Sequence, residues 1–466
     1  MTVQPYSSPR LGRRAFLAGS AGALVTGLTF AGKTRAQGRD PILIGEINSY
    51  SRLPAFTLPY RNGWRLAVEQ INGAGGLLGG RPLQVISKDD DGEPGSAVAA
   101  AQDLVTQNGV HALTGTFLSE VGLAVSDFAA QRKIPFLAAE PLTDAIVWRQ
   151  GNHYTYNLRP NTYVQASILA REAAKLPVTR WATIAPNSEY GQSAVARFKQ
   201  RLTALKRDVT FVDEQWSPLF GLDASATVQA LEDAQPAGIF NALFGTDLTR
   251  FVQEGSPRGL FRDRTVVGML TGEPENLIPL MDQTQGNGPE NGAENWIVTG
   301  YPWEDITTHP HISFVKAYRA MWNEDPAMGS LLGYSAMTAL AVAFVQSGGT
   351  EPEQLVNTLS GMTFGSPIGE IRFRPSDHQS TMGAWVGRTA LRDGKGVMVD
   401  WSYVDGEDVL PPAEIASAWR PAEQAADPGP VATTEPDAAS PVPLAATETA
   451  TESAPEPKEE GVPQSQ

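Results

Sequence analysis

From residue 42 onward, short β-branched runs alternate with stretches whose apolar residues recur at helical spacing. "ILIGEI" reads as a strand, and "PYRNGWRLAVEQIN" as a helix with Trp64, Val68 and Ile71 along one face. The turn "GGLLGGRP" leads to the strand "LQVISKD". Then "GSAVAAAQDLVTQN" is helical, "VHALTGT" a strand, "SEVGLAVSDFAAQR" a helix and "IPFLAAE" a strand. A second series follows a link. "TYVQASILAREAAKL", "GQSAVARFKQRL", "ASATVQALEDA" and "LTRFVQEGSPRGL" read as helices, among the strands "RWATIAP", "VTFVDEQW", "GIFNALF" and "TVVGML". Strands alternating with helices of this length predict parallel sheets built from βαβ units. Two such series predict two doubly wound α/β lobes.

Residues 295–420 do not begin a third lobe. "ENWIVTGYPW" reads as a strand and a crossing, while "HISFVKAYRAMW" and "LLGYSAMTALAVAFVQSG" are helices with no strands of their own. They need an existing sheet to pack on, so the chain is expected to return to the first lobe. It then returns to the second through "GEIRFRPSDHQSTMGAWVGRTAL", making a hinge of three crossings. The expected division is a leader over 1–36, lobe I over 37–158, lobe II over 159–298, lobe I again over 299–380, lobe II again over 381–420, and a tail over 421–466.

The 466 residues carry a formal charge of −15, unevenly spread. The first 36 residues hold +5 (Arg10, Arg13, Arg14, Lys33, Arg35) and residues 421–466 hold −8, which leaves −12 for the middle. So acidic a body repels phosphate backbones and argues against nucleic acid as a partner. The absence of cysteine excludes disulfides, iron–sulfur clusters, thiolate zinc and thiol nucleophiles. Arg13-Arg14-Ala15-Phe16-Leu17, a soft apolar stretch to Ala31 and "TRA" before Gln37 predict a twin-arginine-like signal peptide cleaved near Ala36. The mature protein is then expected to be soluble and periplasmic. The Pro-, Ala-, Thr- and Glu-rich tail is too poor in aliphatic residues to offset its conformational entropy, and disorder is expected there.

Open α/β sheets bind ligands at the carboxyl ends of their strands. Ser119 follows "VHALTG", where it can cap a helix or, with free backbone N–H groups, hold a carboxylate. Glu140 and Thr143 follow "IPFLAA"; Tyr190 follows "WATIAP"; Phe244 and Asp247 sit at the end of "IFNALF"; Glu273 follows "VVGML". Hydroxyls from lobe I and aromatics with acids from lobe II suit a small zwitterion clamped between lobes. No catalytic constellation stands out. Ser313-Phe314-Val315-Lys316 has S-x-x-K spacing but no companion motif, and "GAGGLLGG" lies in the reverse order to a dinucleotide fingerprint. His309 and His311 do not have metal-site spacing, and "DDDG" at 89–92 reads as a solvated strand end. No cofactor or metal is expected.

Residues 41 to about 415 resemble the periplasmic leucine/isoleucine/valine-binding proteins, the solute receptors of branched-chain amino acid ABC importers. The resemblance rests on "RNGWRLAVEQINGAGGLLGGRPLQVISKDDDGEP", "GTFLSEVGLAVSDFAAQRKIP", "APNSEYGQSAVARFK" and "NWIVTGYP". It implies a type I periplasmic binding protein fold, a ligand carboxylate at Ser119, Tyr190 lining the cleft, Glu273 facing the ligand ammonium, and an inner-membrane permease as partner. One departure is "AAEPLTD", where the family carries a small residue and a threonine; here Glu140 and Leu142 stand in their place. A carboxylate beside a carboxylate-binding serine costs about 4 kcal/mol at 4 Å unless it is protonated or paired. Either Glu140 points away, or the solute is not a plain branched-chain amino acid. An amide or aromatic acid is the alternative solute. A periplasmic sensor acting on a regulator, or a secreted hydrolase using Glu140 and Glu273 as a carboxylate pair, are the alternative functions.

Overall fold

The computed structural model describes residues 40–281 and 293–421; the leader and the tail expected at the two ends lie outside the described residues, except for Pro421. The chain opens with β1 (Ile42–Asn48), α1 (Pro54–Gly73), β2 (Leu83–Asp89), α2 (Pro94–Thr106), β3 (Ala112–Gly115), α3 (Ser119–Arg132), β4 (Phe136–Ala138) and β5 (Thr155–Asn157). These strands form one parallel sheet in the order β2-β1-β3-β4-β5. The next series is α4 (Thr162–Ala174), β6 (Arg180–Pro186), α5 (Glu189–Leu205), β7 (Thr210–Ser217), α6 (Ala224–Ala234), β8 (Gly238–Asn241), α7 (Gly245–Gly255), β9 (Thr265–Gly272), α8 (Pro274–Met281) and β10 (Ile297–Gly300). It builds a second sheet whose parallel part runs β7-β6-β8-β9-β10. Both ladders therefore have the doubly wound order 2-1-3-4-5, each reversing direction beside its own first strand. The two-lobed α/β reading is borne out.

After β10 the chain crosses back. Helices α9 (His309–Trp322) and α10 (Met328–Ser347) pack with α1, α11 (Pro352–Leu359) packs with α10, and Tyr156 of β5 donates to the carbonyl of Val356. Among the described residues, α10 alone is long and apolar enough to cross a membrane, yet most of it is buried inside the first lobe. Its approach to α1 is close: a Cβ on Gly63 would stand 2.0 Å from the Ser330 carbonyl oxygen, and one on Gly333 would stand 2.1 Å from that of Tyr60. A small hairpin, β11 (Thr363–Ser366) and β12 (Gly369–Arg372), precedes the last crossing. Then β13 (Ala384–Arg392) and β14 (Lys395–Val404) extend the second sheet antiparallel, and α12 (Ala413–Ala418) follows. The alternation rule predicted parallel strands only. Here Asp393 (φ 52°) and Gly394 (φ 79°) supply the two left-handed residues of a tight hairpin turn, which makes an antiparallel pair the local solution.

Segments 158–161, 301–308 and 373–383 connect the lobes, and two of them are bound side by side. Gln379 Oε1 accepts from Asn157 Nδ2 (2.9 Å) and Asn161 Nδ2 (3.0 Å), while its Nε2 donates to the Arg159 carbonyl at 3.0 Å. His378 stacks on Tyr156 at 4.1 Å, and burial pushes its pKa down to about 3, so the ring is neutral and Nδ1 can donate to the Thr155 carbonyl. The chain end closes over this region: Trp419 packs edge-on against Trp148 (4.8 Å), and Arg420 donates to the carbonyls of Val147, Asp377 and Asn152.

Gly333→Ala should lower stability by about 1–3 kcal/mol because neither α1 nor α10 can retreat from a packed core. Gly73→Ala, where an added Cβ meets no atom within 4 Å, should leave Tm unchanged or higher. Equal melting temperatures for the two variants in calorimetry would refute the close-contact account.

Candidate functional site

The reversal of strand order puts two pairs of loops at the carboxyl ends of the sheets. In lobe I they follow β1 and β3, and in lobe II they follow β6 and β8. Phe117 stands in the loop after β3 and Ser119 opens the helix that follows, Tyr190 lies in the first turn of the helix after β6, and Phe244 precedes the helix after β8. Residues from both lobes close round one small cavity of about 20 Å³, with Phe117, Ser119, Leu142, Tyr190, Phe244 and Leu270 in its wall. That volume holds about one water. The rings meet across the gap. Phe56 of α1 and Phe117 lie 5.2 Å apart, and Phe244 lies 5.7 Å from Phe56, 6.2 Å from Phe117 and 5.8 Å from Tyr190. Backbone strain marks both sides: Thr116 (φ 61°) and Leu270 (φ 65°) take left-handed conformations that cost most for branched or bulky side chains.

Local reasons place each side chain. Ser119 is the first helical residue of α3, and Leu118 occupies the N-cap position without a side-chain bond. The Ser119 hydroxyl accepts from the Thr143 N–H at 3.1 Å rather than capping its own helix. Ser188 caps α5 by accepting from Gly191 N–H. A Cβ on Gly191 would lie 1.9 Å from the Pro186 carbonyl oxygen, so glycine lets the first turn fold back against the strand end and presents Tyr190 to the cleft.

The charged centre is the buried pair of Arg159 and Glu273. Arg159 Nε has no partner, and neither does the Tyr190 hydroxyl beside the pair. A buried orphan donor costs about 1–3 kcal/mol, so two of them together call for an explanation, and a bound polar group supplies one. Burial raises the Glu273 pKa, and Arg159 partly opposes the rise. Glu140 is buried and faces inward, accepting from Asn48 Nδ2 at 2.9 Å. Burial raises its pKa well above the carboxylate range, against the pull of Asn48 and Arg159. Burial thus opposes a free charge on the carboxyl that its position in the sequence would have placed beside Ser119. Glu46 of β1, next to Ser87 and Tyr50, is pushed up to about 8 by the same cause. Glu275 at the start of α8 rises to about 7 through burial and the nearby Glu273. Its Oε1 accepts from the N–H of Gly329 in α10 at 2.9 Å, a bond between lobes.

Thr143 and Asp247 stand at the edges. Thr143 Oγ1 donates to Glu189 Oε1 at 2.8 Å, and Arg197 grips Asp144 through Nε (2.5 Å) and Nη2 (3.3 Å), so this rim also joins the lobes. Asp247, a strand-end candidate, accepts from the Leu222 N–H at 3.3 Å and holds the loop that carries Phe220. The carboxylate of Glu273, expected to face an ammonium, is engaged by Arg159. Arg159, Glu275 and Phe220 were not anticipated. Arg159 gives one signal, a cation between a strand and a proline in "NLRPNTY", but nothing in the sequence reveals that it is buried.

A family model described as "Periplasmic binding protein" matches residues 44–395, about three quarters of the chain. The curated relatives include the Leu/Ile/Val-binding protein homolog 8 of Brucella abortus (strain 2308), 24% identical over 314 residues that span 64% of this chain and 75% of that protein. A solved solute-binding protein of an ABC transporter from Rhodopseudomonas palustris BisB5, in complex with 3,4-dihydroxybenzoic acid, superposes with a TM-score of 0.71. It is 22% identical, over 81% of this chain and all of that one. The amino acid ABC transporter substrate-binding protein of Pseudomonas fluorescens Pf-5 gives 0.70 at 21% identity, over 82% and 99%.

Glu273→Gln should destabilise the protein by about 3–5 kcal/mol because it leaves the Arg159 charge buried and uncompensated, while the double variant Arg159→Met/Glu273→Leu should recover most of the loss in urea titrations. A double variant no more stable than Glu273→Gln would exclude this role for the pair. Glu46 titrates higher when folded than its ordinary 4.5, so its contribution is full below that value and is lost as pH rises towards about 8. Glu46→Gln should accordingly gain stability over the parent at pH 8 and not at pH 4.5; parallel Tm–pH curves would contradict this.

Proposed function

We propose, from the premise that this chain belongs to the periplasmic binding protein family, that it is the substrate-binding component of an ABC importer. Its solute is a small carboxylate with an aromatic or apolar body, bound between the lobes, and closure is read by a membrane permease. The observation that carries this reading is the ring cluster: Phe56 and Phe117 from one lobe meet Phe244 and Tyr190 from the other beside Ser119. Aromatic rings packed edge to face contribute about 0.5–1.5 kcal/mol per pair beyond their buried area, so a flat solute inserted among them gains from each wall.

The polar contacts favour an anion. Arg159 Nε and the Tyr190 hydroxyl are donors without partners, Ser119 adds a hydroxyl, and burial raises the Glu140 pKa and so disfavours its charged form. Glu273 is spent on Arg159, which weakens the case for an ammonium there. Two relatives point the same way by their names: one solved neighbour holds 3,4-dihydroxybenzoic acid, and another from R. palustris holds benzoate. Ligand contacts in both lobes favour the closed form. Shifting closure from 1:99 to 99:1 takes about 5.5 kcal/mol, within reach of a few charge-assisted hydrogen bonds of about 1.5–3 kcal/mol each. Export through the twin-arginine-like leader over 1–36 would put the protein in the periplasm, where such a solute is collected.

A thermal-shift screen of benzoate, 4-hydroxybenzoate, phenylalanine and leucine tests the solute class. The aromatic acids should raise Tm, with about 2.7 kcal/mol of stabilisation at a hundred times Kd. Tyr190→Ala should weaken them tenfold or more. A response to leucine alone, abolished in Glu273→Gln, would reject the aromatic-acid reading in favour of an amine-bearing solute.

A further inference from the structure

Outside the ring cluster, between the amino end of α1 and helices α7 and α8, lies a chamber of about 640 Å³ that the proposed function leaves unused. Phe56 and Phe220 wall it. Both pack edge-on to Phe244, at 5.7 and 5.4 Å, and Phe244 also lines the small inner cavity. A ring seated among Phe117, Tyr190 and Phe244 would thus lie about one ring away from the chamber.

Two arginines reach the chamber from opposite lobes: Arg52 from the loop after β1, and Arg250 from α7. The Arg52 guanidinium lies 5.7 Å over the Phe220 ring and forms no ion pair among the described residues. Arg250 Nη1 is 3.9 Å from Asp247 Oδ1, an oxygen that already accepts from Leu222 N–H. Glu275 is the one carboxyl group in the wall. Its Oε1 accepts from Gly329 N–H and its Oε2 is shielded from solvent without a partner. With its pKa raised to about 7, that oxygen can carry a proton and donate it to an arriving acceptor. An anion is suited to this set of neighbours: two cations, one protonatable oxygen and two flat apolar walls.

We propose that the chamber is a second anion subsite, and that the solute is an elongated aromatic acid whose second carboxylate is received by Arg52 and Arg250. The inference rests on the proposed function and narrows its substrate class. A group held by an arginine from each lobe also binds only when the lobes approach, so the second carboxylate adds to closure as well as to affinity.

Titration calorimetry on the full chain compares cinnamate with 4-carboxycinnamate, and heptanoate with heptanedioate. The dicarboxylate should bind about tenfold or more tightly than cinnamate. That ratio should fall about threefold in Arg52→Gln and in Arg250→Gln, and approach one in the double variant. Cinnamate binding with a ratio of one in the parent protein would overturn the chamber and leave the proposed function standing. An unchanged ratio in both variants would also overturn it. If only the heptanoate pair binds, with an arginine-dependent ratio, the chamber stands and the aromatic body is wrong. If neither pair binds, both readings fall.

Discussion

The buried pair of Arg159 and Glu273 ties the architecture to the chemistry. Arg159 belongs to the first crossing between lobes, and its carbonyl is bound by Gln379 of the third. Glu273 ends the turn that follows β9, at the carboxyl edge of the second sheet. The pair therefore locks the hinge to the floor of the cleft. Desolvating two charges is costly, and the cost is offset only by close geometry and a low local dielectric. That constraint explains why the surroundings are so full of hydroxyls and protonated acids. Any free carboxylate near this centre would compete with Glu273 for the same guanidinium.

The formal charge of the chain misleads about its interior. The count is −15, yet Glu46, Glu140 and Glu275 all have pKa values raised by burial. The cleft is thus less negative than its composition suggests, while the outer surface keeps the acidity. The proposed anionic solute would meet repulsion at a distance and donors at contact. Such an arrangement would give selectivity by fit rather than by electrostatic steering.

The fold was readable because hydrophobic period and turn chemistry agree over most of the chain. The alternation of "ILIGEI" with "RLAVEQIN" and the partnerless helices after residue 309 were enough to expect two lobes crossed three times. The antiparallel β13–β14 addition was missed, although "RDGK" carries the Asp-Gly turn signal, because the regular βαβ pattern dominated the reading. In the site, strand ends identified Ser119, Tyr190 and Phe244, which line one cavity. Asp247 lies outside that cavity wall, and its carboxylate holds the turn that carries Phe220. Arg159 and the burial of Glu140 were invisible, since they depend on packing between segments far apart in the chain, 92 residues for Asn48 with Glu140 and 114 for Arg159 with Glu273.

The insertion of α10 into the first lobe has a consequence for biogenesis. Its glycines seat directly on α1, and α1 emerges from the ribosome some 270 residues before them. Until residue 347 has been made, α1 lacks the helix it packs against most extensively, while strands β6 to β10 of the second sheet can already assemble. Contacts of such sequence separation slow folding. The half synthesised first thus stays incomplete through most of translation, and the apolar flank of α1 left exposed meanwhile invites chaperones.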